Sequence, residues 1–206
     1  MSDIAIIDYG AGNIASVKNM LKKVGAKNVV VTNQKEDILS ASKILLPGVG
    51  HFDFGMQCLH DSGLVEVLEK KVVHQKIPTL GICLGAQLMT RSSEEGKIPG
   101  LGWVNGRTVS FAKRIDPDFK VPHMGWNYVS PQKEVLLFID MPAEPRFYFV
   151  HSFFMKMEDA NDVWLNTEYG VEFCSAFQSN NIYGCQFHPE KSHKFSMALM
   201  RNFVQL

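Results

Sequence analysis

What the sequence lacks narrows it first. It has no surplus of either charge: Lys plus Arg and Asp plus Glu stand at 21 each in 206 residues, so the formal net charge is zero. A general nucleic-acid or membrane-surface binder carries a basic excess, and none is available here. No apolar stretch nears the roughly 18 residues that a membrane-crossing helix takes. Cysteine is scarce. Cys58, Cys83, Cys174 and Cys185 share no C-x-x-C spacing and no metal-ligand pattern, which argues against a disulfide scaffold and for a reducing, cytoplasmic setting. Met1-Ser2-Asp3 leads straight into a strand-like run, so no signal peptide is expected. Repeats, low-complexity tracts and linkers are absent, and a single domain over 1–206 is the expectation.

What is present has a two-part rhythm. Ile4 to Ile7 reads as a buried strand, followed by the glycine-rich turn Asp8-Tyr9-Gly10-Ala11-Gly12-Asn13. Val17, Met20, Leu21 and Val24 then fall on one helical face, which Gly25 ends. Val29 to Val31 and Ile44 to Leu46 read as strands, the latter stopping at Pro47-Gly48-Val49-Gly50. Helix-like segments through Met56 and Leu59 and over 65–73 precede a strand from Thr79 to Cys83. Alternating β and α with continuous apolar strands predicts a parallel sheet covered on both faces. Beyond about residue 100, strands are expected at 104–111, 127–129, 147–153, 163–166, 173–177 and 182–187. They form an antiparallel or mixed extension, and a helix from His193 with Phe195, Leu199 and Phe203 inward closes the chain.

Gly81-Ile82-Cys83-Leu84-Gly85 has the form G-x-C-x-G, the cysteine counterpart of the strand-to-helix elbow that lifts a nucleophile above a sheet. The alternative is a buried strand cysteine before a tight turn. A helix N-terminus directly after Cys83 favours a thiolate. Three unusual segments (DYGAGN, PGVG and GICLG) fall at strand carboxyl ends, where open parallel sheets bind ligands. A catalytic cysteine needs a base, and the base an orienting group. Gln186-Phe187-His188-Pro189-Glu190 offers His188 and Glu190 two residues apart, on one side of extended chain. The amide of Leu84, and one near Val49-Gly50 freed by its glycines, are candidate donors to a developing oxyanion.

In this order and spacing, LPGVGHFDFGM, GICLGAQLM and QFHPEKS resemble the class I (triad) glutamine amidotransferases. That resemblance implies a flavodoxin-like three-layer fold with a central, mostly parallel sheet and an antiparallel extension in the second half. It also implies a Cys83–His188–Glu190 triad that hydrolyses glutamine through a glutamyl thioester, with no metal or organic cofactor. Gln87 matches the family's glutamine-contacting residue. His151-Ser152-Phe153 matches a segment whose backbone helps hold the substrate. Within the family, IIDYGAGNIASV, GLGWVNG, VPHMGWN and FYFVHSFF are similar to the subunits that supply ammonia in imidazole glycerol phosphate synthases. The partner so implied is a (β/α)8-barrel cyclase in a heterodimer, with Asn13, Met124, Trp126 and Lys191 at interface positions. His51, Ala86 and Phe153-Phe154 depart from the usual pattern without touching the triad. Three other readings stay open: a paralogous glutaminase for another pathway such as amidation of a surface sugar, a catalytically silent synthase partner, and a cysteine peptidase or stress protein.

Overall fold

The computed structural model describes residues 3–206, so Met1 and Ser2, where no leader was expected, lie outside it. In the first half, β1 (Ile4–Ile7), α1 (Ile14–Lys23), β2 (Val29–Thr32), α2 (Lys35–Ser40), β3 (Lys43–Gly48), α3 (Phe52–Asp61), α4 (Val65–Glu69), β4 (Thr79–Cys83) and α5 (Leu84–Leu88) alternate. The second half supplies β5 (Gly106–Ser110), β6 (His123–Tyr128), β7 (Ser130–Pro131), β8 (Arg146–His151), β9 (Phe153–Met157), β10 (Val163–Glu168), β11 (Glu172–Ser179), β12 (Ile182–Cys185) and α6 (His193–Gln205). The main sheet runs β2-β1-β3-β4-β12-β11-β10-β7. Its first five strands are parallel, β12 joining β4. From β12 onward the pairing is antiparallel, and β5 and β9 extend the sheet beside β11.

The strand period of two builds two cores from one sheet. Ile4 and Ile6 face one side with Leu45, Leu80, Val17, Leu21, Phe195, Leu199 and Phe203, which is the layer of α1 and α6. Ala5 and Ile7 face the other with Ile44, Leu46, Leu59 and Leu68, the layer of α2 to α4. That is a three-layer α/β architecture with a mostly parallel centre and an antiparallel extension. No helix among the described residues is long and apolar enough to cross a membrane.

Several boundaries differ from the sequence expectation, each for a local reason. The helix α2 was not expected, because six residues burying only Ile38 show no helical period. β3 runs on through Pro47 and Gly48, opposite Ile82 and Cys83. β1 pairs with β3 only as far as Leu45, so the N–H that Pro47 lacks is not called for there. The expected helix over 65–73 is α4 followed by a π-helical turn, Lys70–His74. The single strand expected over 147–153 is two strands: β8 pairs with β6 in a separate two-stranded sheet, and β9 with β5. Ser152 is the corner where the chain changes sheets. The strand expected at 127–129 begins four residues earlier, and the one over 182–187 ends at Cys185.

Candidate active site

Cys83 is the last residue of β4, and its backbone sits at φ 52° and ψ −113°. A side chain at positive φ is strained, and such residues persist only where the surroundings hold them. The two glycines of G-x-C-x-G supply that hold. A Cβ on Gly81 would meet Ala86 Cα at 2.7 Å, and one on Gly85 would fall onto the carbonyl of Leu46. Their absent side chains let α5 lie directly over β3 and β4, so the turn at Cys83 is tight and the thiol is 7% exposed.

The neighbouring strand β12 is parallel to β4, so the segment after it emerges beside Cys83. Nδ1 of His188 lies 2.8 Å from Oε1 of Glu190, both side chains being nearly fully buried. The pair was expected along extended chain, but Pro189–Lys191 instead forms one 3-10 turn that folds the carboxylate back onto the ring. The turn is pinned to β8: His188 N–H donates to the Tyr148 carbonyl at 2.9 Å, and Tyr148 N–H to Ser192 Oγ at 2.9 Å. Burial pushes the His188 imidazole down, but the Cys83 sulfur and the Glu190 carboxylate outweigh it and hold its pKa well above the ordinary histidine value. Among the described residues Nε2 makes no hydrogen bond of full geometry, and the neighbouring Cys83 sulfur raises the ring's pKa both as a facing hydrogen-bond partner and as a charge. A buried, unpartnered Nε2 is an unusual feature that points to a functional atom.

Cys83 and His188 open into one pocket of about 360 Å³, lined also by Val49, Gly50, Leu84, Gln87, Glu95, His151, Ser152, Phe153 and Lys191. Hollows of about 620 and 610 Å³ lie elsewhere, against β10 and around Leu136, but neither is lined by a cysteine or a histidine. All the residues expected at the oxyanion and glutamine positions therefore meet at one place. Their hydrogen bonds refine those expectations. Gln87 Nε2 is already committed, donating to the Phe153 carbonyl at 3.1 Å and to Gln186 Oε1 at 3.0 Å. That leaves only its Oε1 for a ligand. The carbonyls of Ser152 and Phe153 are likewise taken, by Phe111 N–H and by the ring of His151. His51, which departs from the usual pattern, caps α3 by accepting from Asp53 N–H.

Other residues here escaped the sequence reading. Glu95 brings a carboxylate to the pocket wall, fixed by Phe52 N–H at 2.8 Å. Gln186 is fully buried and directs Nε2 to Cys83 Sγ at 3.6 Å. Its signal was available, since Gln186 and His188 are two apart, as neighbours on one side of a strand are. His123 packs behind His151, with Nδ1 3.1 Å from His151 Nε2. Burial pushes His123 down to about 4 and His151 to about 3, so both rings are neutral near pH 7.

The strand β6 turns a hydrophobic row outward beside the pocket. Met124 is 61% exposed, Trp126 45% and Tyr128 54%. Trp126 stacks on His193, with ring centres 5.7 Å apart, and Lys191 Nζ lies 5.5 Å from the Tyr148 ring centre. Asn13, at the start of α1, makes no side-chain cap. Elsewhere, Cys174 and Cys185 are buried thiols whose pKa burial raises, Cys174 to about 12. All four cysteines are free.

A cysteine on a strained turn, a His–Glu pair beside it and a parallel sheet beneath are the features of the triad amidotransferases. The description of the family Glutamine amidotransferase class-I matches residues 5–206, and the chain belongs to that family. Among its relatives, the chain is 53% identical over 203 residues to the imidazole glycerol phosphate synthase subunit HisH 2 of Pseudomonas aeruginosa, covering 98% of this chain and 99% of the other. It is 52% identical to HisH 2 of Methanococcus maripaludis, covering 98% of each. It is 43% identical to the HisH 1 of that same archaeon, over 98% and 99%. The structure of PurLQS from Thermotoga maritima shares the fold, with a TM-score of 0.69 at 18% identity over 100% of this chain and 96% of the other.

Proposed function

We propose that this chain is the glutaminase subunit of an imidazole glycerol phosphate synthase. It hydrolyses glutamine and passes the ammonia to a (β/α)8-barrel cyclase, which forms imidazole glycerol phosphate and aminoimidazole carboxamide ribonucleotide in histidine biosynthesis. The observation that carries the reading is the strained, buried Cys83 sharing one pocket with His188 and its partner Glu190. Four free thiols suit a cytoplasmic enzyme, and we read residues 1–206 as one domain.

The chemistry follows from the arrangement. Cys83 Sγ adds to the carboxamide carbon of glutamine, and the carbonyl oxygen becomes an oxyanion held by the amides of Leu84 and of Val49-Gly50. Collapse breaks the C–N bond, and the nitrogen leaves as ammonia with a proton from His188 Nε2. Glu190 on Nδ1 keeps that proton on the catalytic side and stabilises the imidazolium. Water deprotonated by His188 then adds to the thioester carbon, the C–S bond breaks, and glutamate leaves. Gln87 Oε1 and the Glu95 carboxylate receive the amino end of the substrate in this reading, with His151, Ser152 and Phe153 as the facing wall; their shared pocket supports it. The exposed Met124, Trp126 and Tyr128 row, with Asn13 and Lys191, is the surface offered to the barrel.

One observation favours a second reading. The chain is closer to the second-copy HisH of Methanococcus maripaludis than to the first, at 52% against 43% identity. A duplicated synthase could amidate another acceptor, such as a surface sugar, with the same glutaminase chemistry. The test is glutamate release by the assembled glutaminase–cyclase pair, with the histidine-pathway acceptor present or absent. The expected result is acceptor-stimulated hydrolysis that Cys83→Ala abolishes. A Cys83→Ala enzyme releasing glutamate at a near wild-type rate would overturn the glutaminase reading. Hydrolysis without turnover of the histidine-pathway acceptor would move the chain to the second reading.

A further inference from the structure

Gln186 sits at the end of an ordered run of hydrogen bonds whose direction is fixed from its far end. The Phe153 carbonyl can only accept, so His151 presents Nδ1–H to it at 2.8 Å, and Gln87 presents its Nε2 at 3.1 Å. With Nδ1 protonated, neutral His151 has Nε2 as an acceptor, and His123 donates to it from Nδ1 at 3.1 Å. Nε2 of His123 in turn accepts from Asn127 Nδ2 at 3.3 Å. On the other side, the second hydrogen of Gln87 Nε2 goes to Gln186 Oε1 at 3.0 Å. The Gln186 amide is thereby oriented, because flipping it would set two donors against each other. Its Nε2 must face Cys83 Sγ, and does so at 3.6 Å. The side chain is fully buried, and its backbone N–H is held by the Ser175 carbonyl at 2.9 Å, so neither end can swing away. An amide N–H aimed at sulfur does little for a thiol. It does much more for a thiolate, since hydrogen bonds to charged partners are about twice as strong as neutral ones.

We propose that Gln186 is a further catalytic residue of the glutaminase reaction, donating a hydrogen bond to Cys83 Sγ that stabilises the attacking thiolate. This rests on the reading of Cys83 as the nucleophile. His188 stands beside the sulfur as proton carrier and Gln186 as a donor that never titrates. Gln87 is the link: it orients Gln186 with one hydrogen while its own Oε1 stays turned to the ligand space.

The test uses the assembled glutaminase–cyclase pair carrying Gln186→Met, which keeps the length and removes the donor, and Gln186→Glu, which keeps the shape. Two readouts are taken: kcat and KM for glutamate release, and the rate of Cys83 alkylation by iodoacetamide across pH 5–9. A hydrogen bond to a charged group amounts to about 10–100-fold in rate, so kcat is expected to fall by about that factor in Gln186→Met, with KM within about threefold. The alkylation profile shifts to higher pH in both variants, further in Gln186→Glu, where a carboxylate faces the thiolate. His188, Glu190, His151, Glu95, Lys191, Tyr9 and Cys185, the titratable groups around Cys83, are untouched, so the shift belongs to position 186. Wild-type kcat in either variant, or a fall in kcat with an unmoved alkylation profile, overturns the proposal. If Gln186→Met fails to fold, Gln186→Glu decides alone. Retained glutamate release in Cys83→Ala would instead remove the nucleophile reading itself. Loss in Cys83→Ala beside normal Gln186 variants removes only this inference.

Discussion

Replacing Gly85 by alanine tests whether the elbow depends on close packing. Gly85 lies in α5, and its φ is outside the left-handed region, so alanine suits its backbone and would contribute about 1 kcal/mol through helix propensity. Space decides against it. The added Cβ would fall onto the Leu46 carbonyl oxygen and lie 2.8 Å from that carbonyl carbon and 3.3 Å from the Pro47 carbonyl carbon. Carbon atoms rest at about 3.5–4.0 Å, so α5 must lift from β3 by close to 1 Å. Overpacking costs about 1–3 kcal/mol even where a side chain can yield. Here the obstacle is strand backbone, paired to β4 at Leu46 and Pro47 themselves, which puts the cost at the top of that range or beyond. The net loss is about 2 kcal/mol or more, a fall of about 4–8 °C in Tm for a chain of this size. Lifting α5 also moves the Leu84 amide, and a 1 Å misplacement costs about 100-fold in rate. Differential scanning calorimetry and glutamate release on the same preparation measure both. Gly10→Ala is the control, because its Cβ would meet nothing within 4 Å and bears only the strain of φ 90°. A Gly85→Ala protein melting within about 2 °C of wild type with unchanged turnover would refute the packing argument.

The backbone strain at Cys83 leads to an inverted order of stability: Cys83→Gly should match or exceed Cys83→Ala in Tm, because glycine relieves a conformation costing about 1–3 kcal/mol, and a clearly lower melting point for the glycine variant would count against strain. His123 and His151 are held neutral by burial, with folded values of about 4 and 3. The unfolded chain therefore binds more protons below about pH 6.5, and stability falls as pH drops from there toward 3. The slope of unfolding free energy against pH between 5 and 6 should approach about 1.4 kcal/mol per unit for each ring, and His123→Gln should remove one ring's share; an unchanged slope would speak against a buried neutral pair. Glu190→Gln should keep the fold but lower kcat for glutamate release by about 100-fold or more, because an amide cannot stabilise the imidazolium; activity within threefold of wild type would make Glu190 a bystander. Finally, Val49 is exposed between Gly48 and Gly50, the latter at φ 106°, where the peptide can turn with little hindrance. The isolated chain should hydrolyse glutamine at least ~100-fold more slowly than the complex with cyclase and its ligand, about 2.7 kcal/mol of barrier, whereas full activity from the single chain would reject such a switch.

The repetitive elements and the short-range motifs were legible in the sequence because their causes are local. Ile4 to Ile7 and Thr79 to Cys83 are runs that only a doubly covered sheet can bury, and α1 and α6 carry their periods openly. Cys83 between its glycines and the His188–Glu190 spacing are set within a few residues of chain. Where local signal was weak, the structure decided. α2 buries one residue, and the run from Phe147 to Phe153 gives no hint that Ser152 is a corner between two sheets, since both halves are equally apolar. The site's connections are of this second kind. That Gln87 is tied to Phe153, 66 residues away, and to Gln186, 99 away, follows from β12 lying against β4, with β11 and then β9 beyond it, and not from any pattern along the chain. His123 gains its role only when β6 pairs with β8 and buries the ring behind His151. Sequence alone determined which groups could do chemistry. The parallel pairing of two strands about a hundred residues apart decided which of them touch the sulfur, because hydrogen bonds form at about 3 Å and only tertiary packing sets that distance.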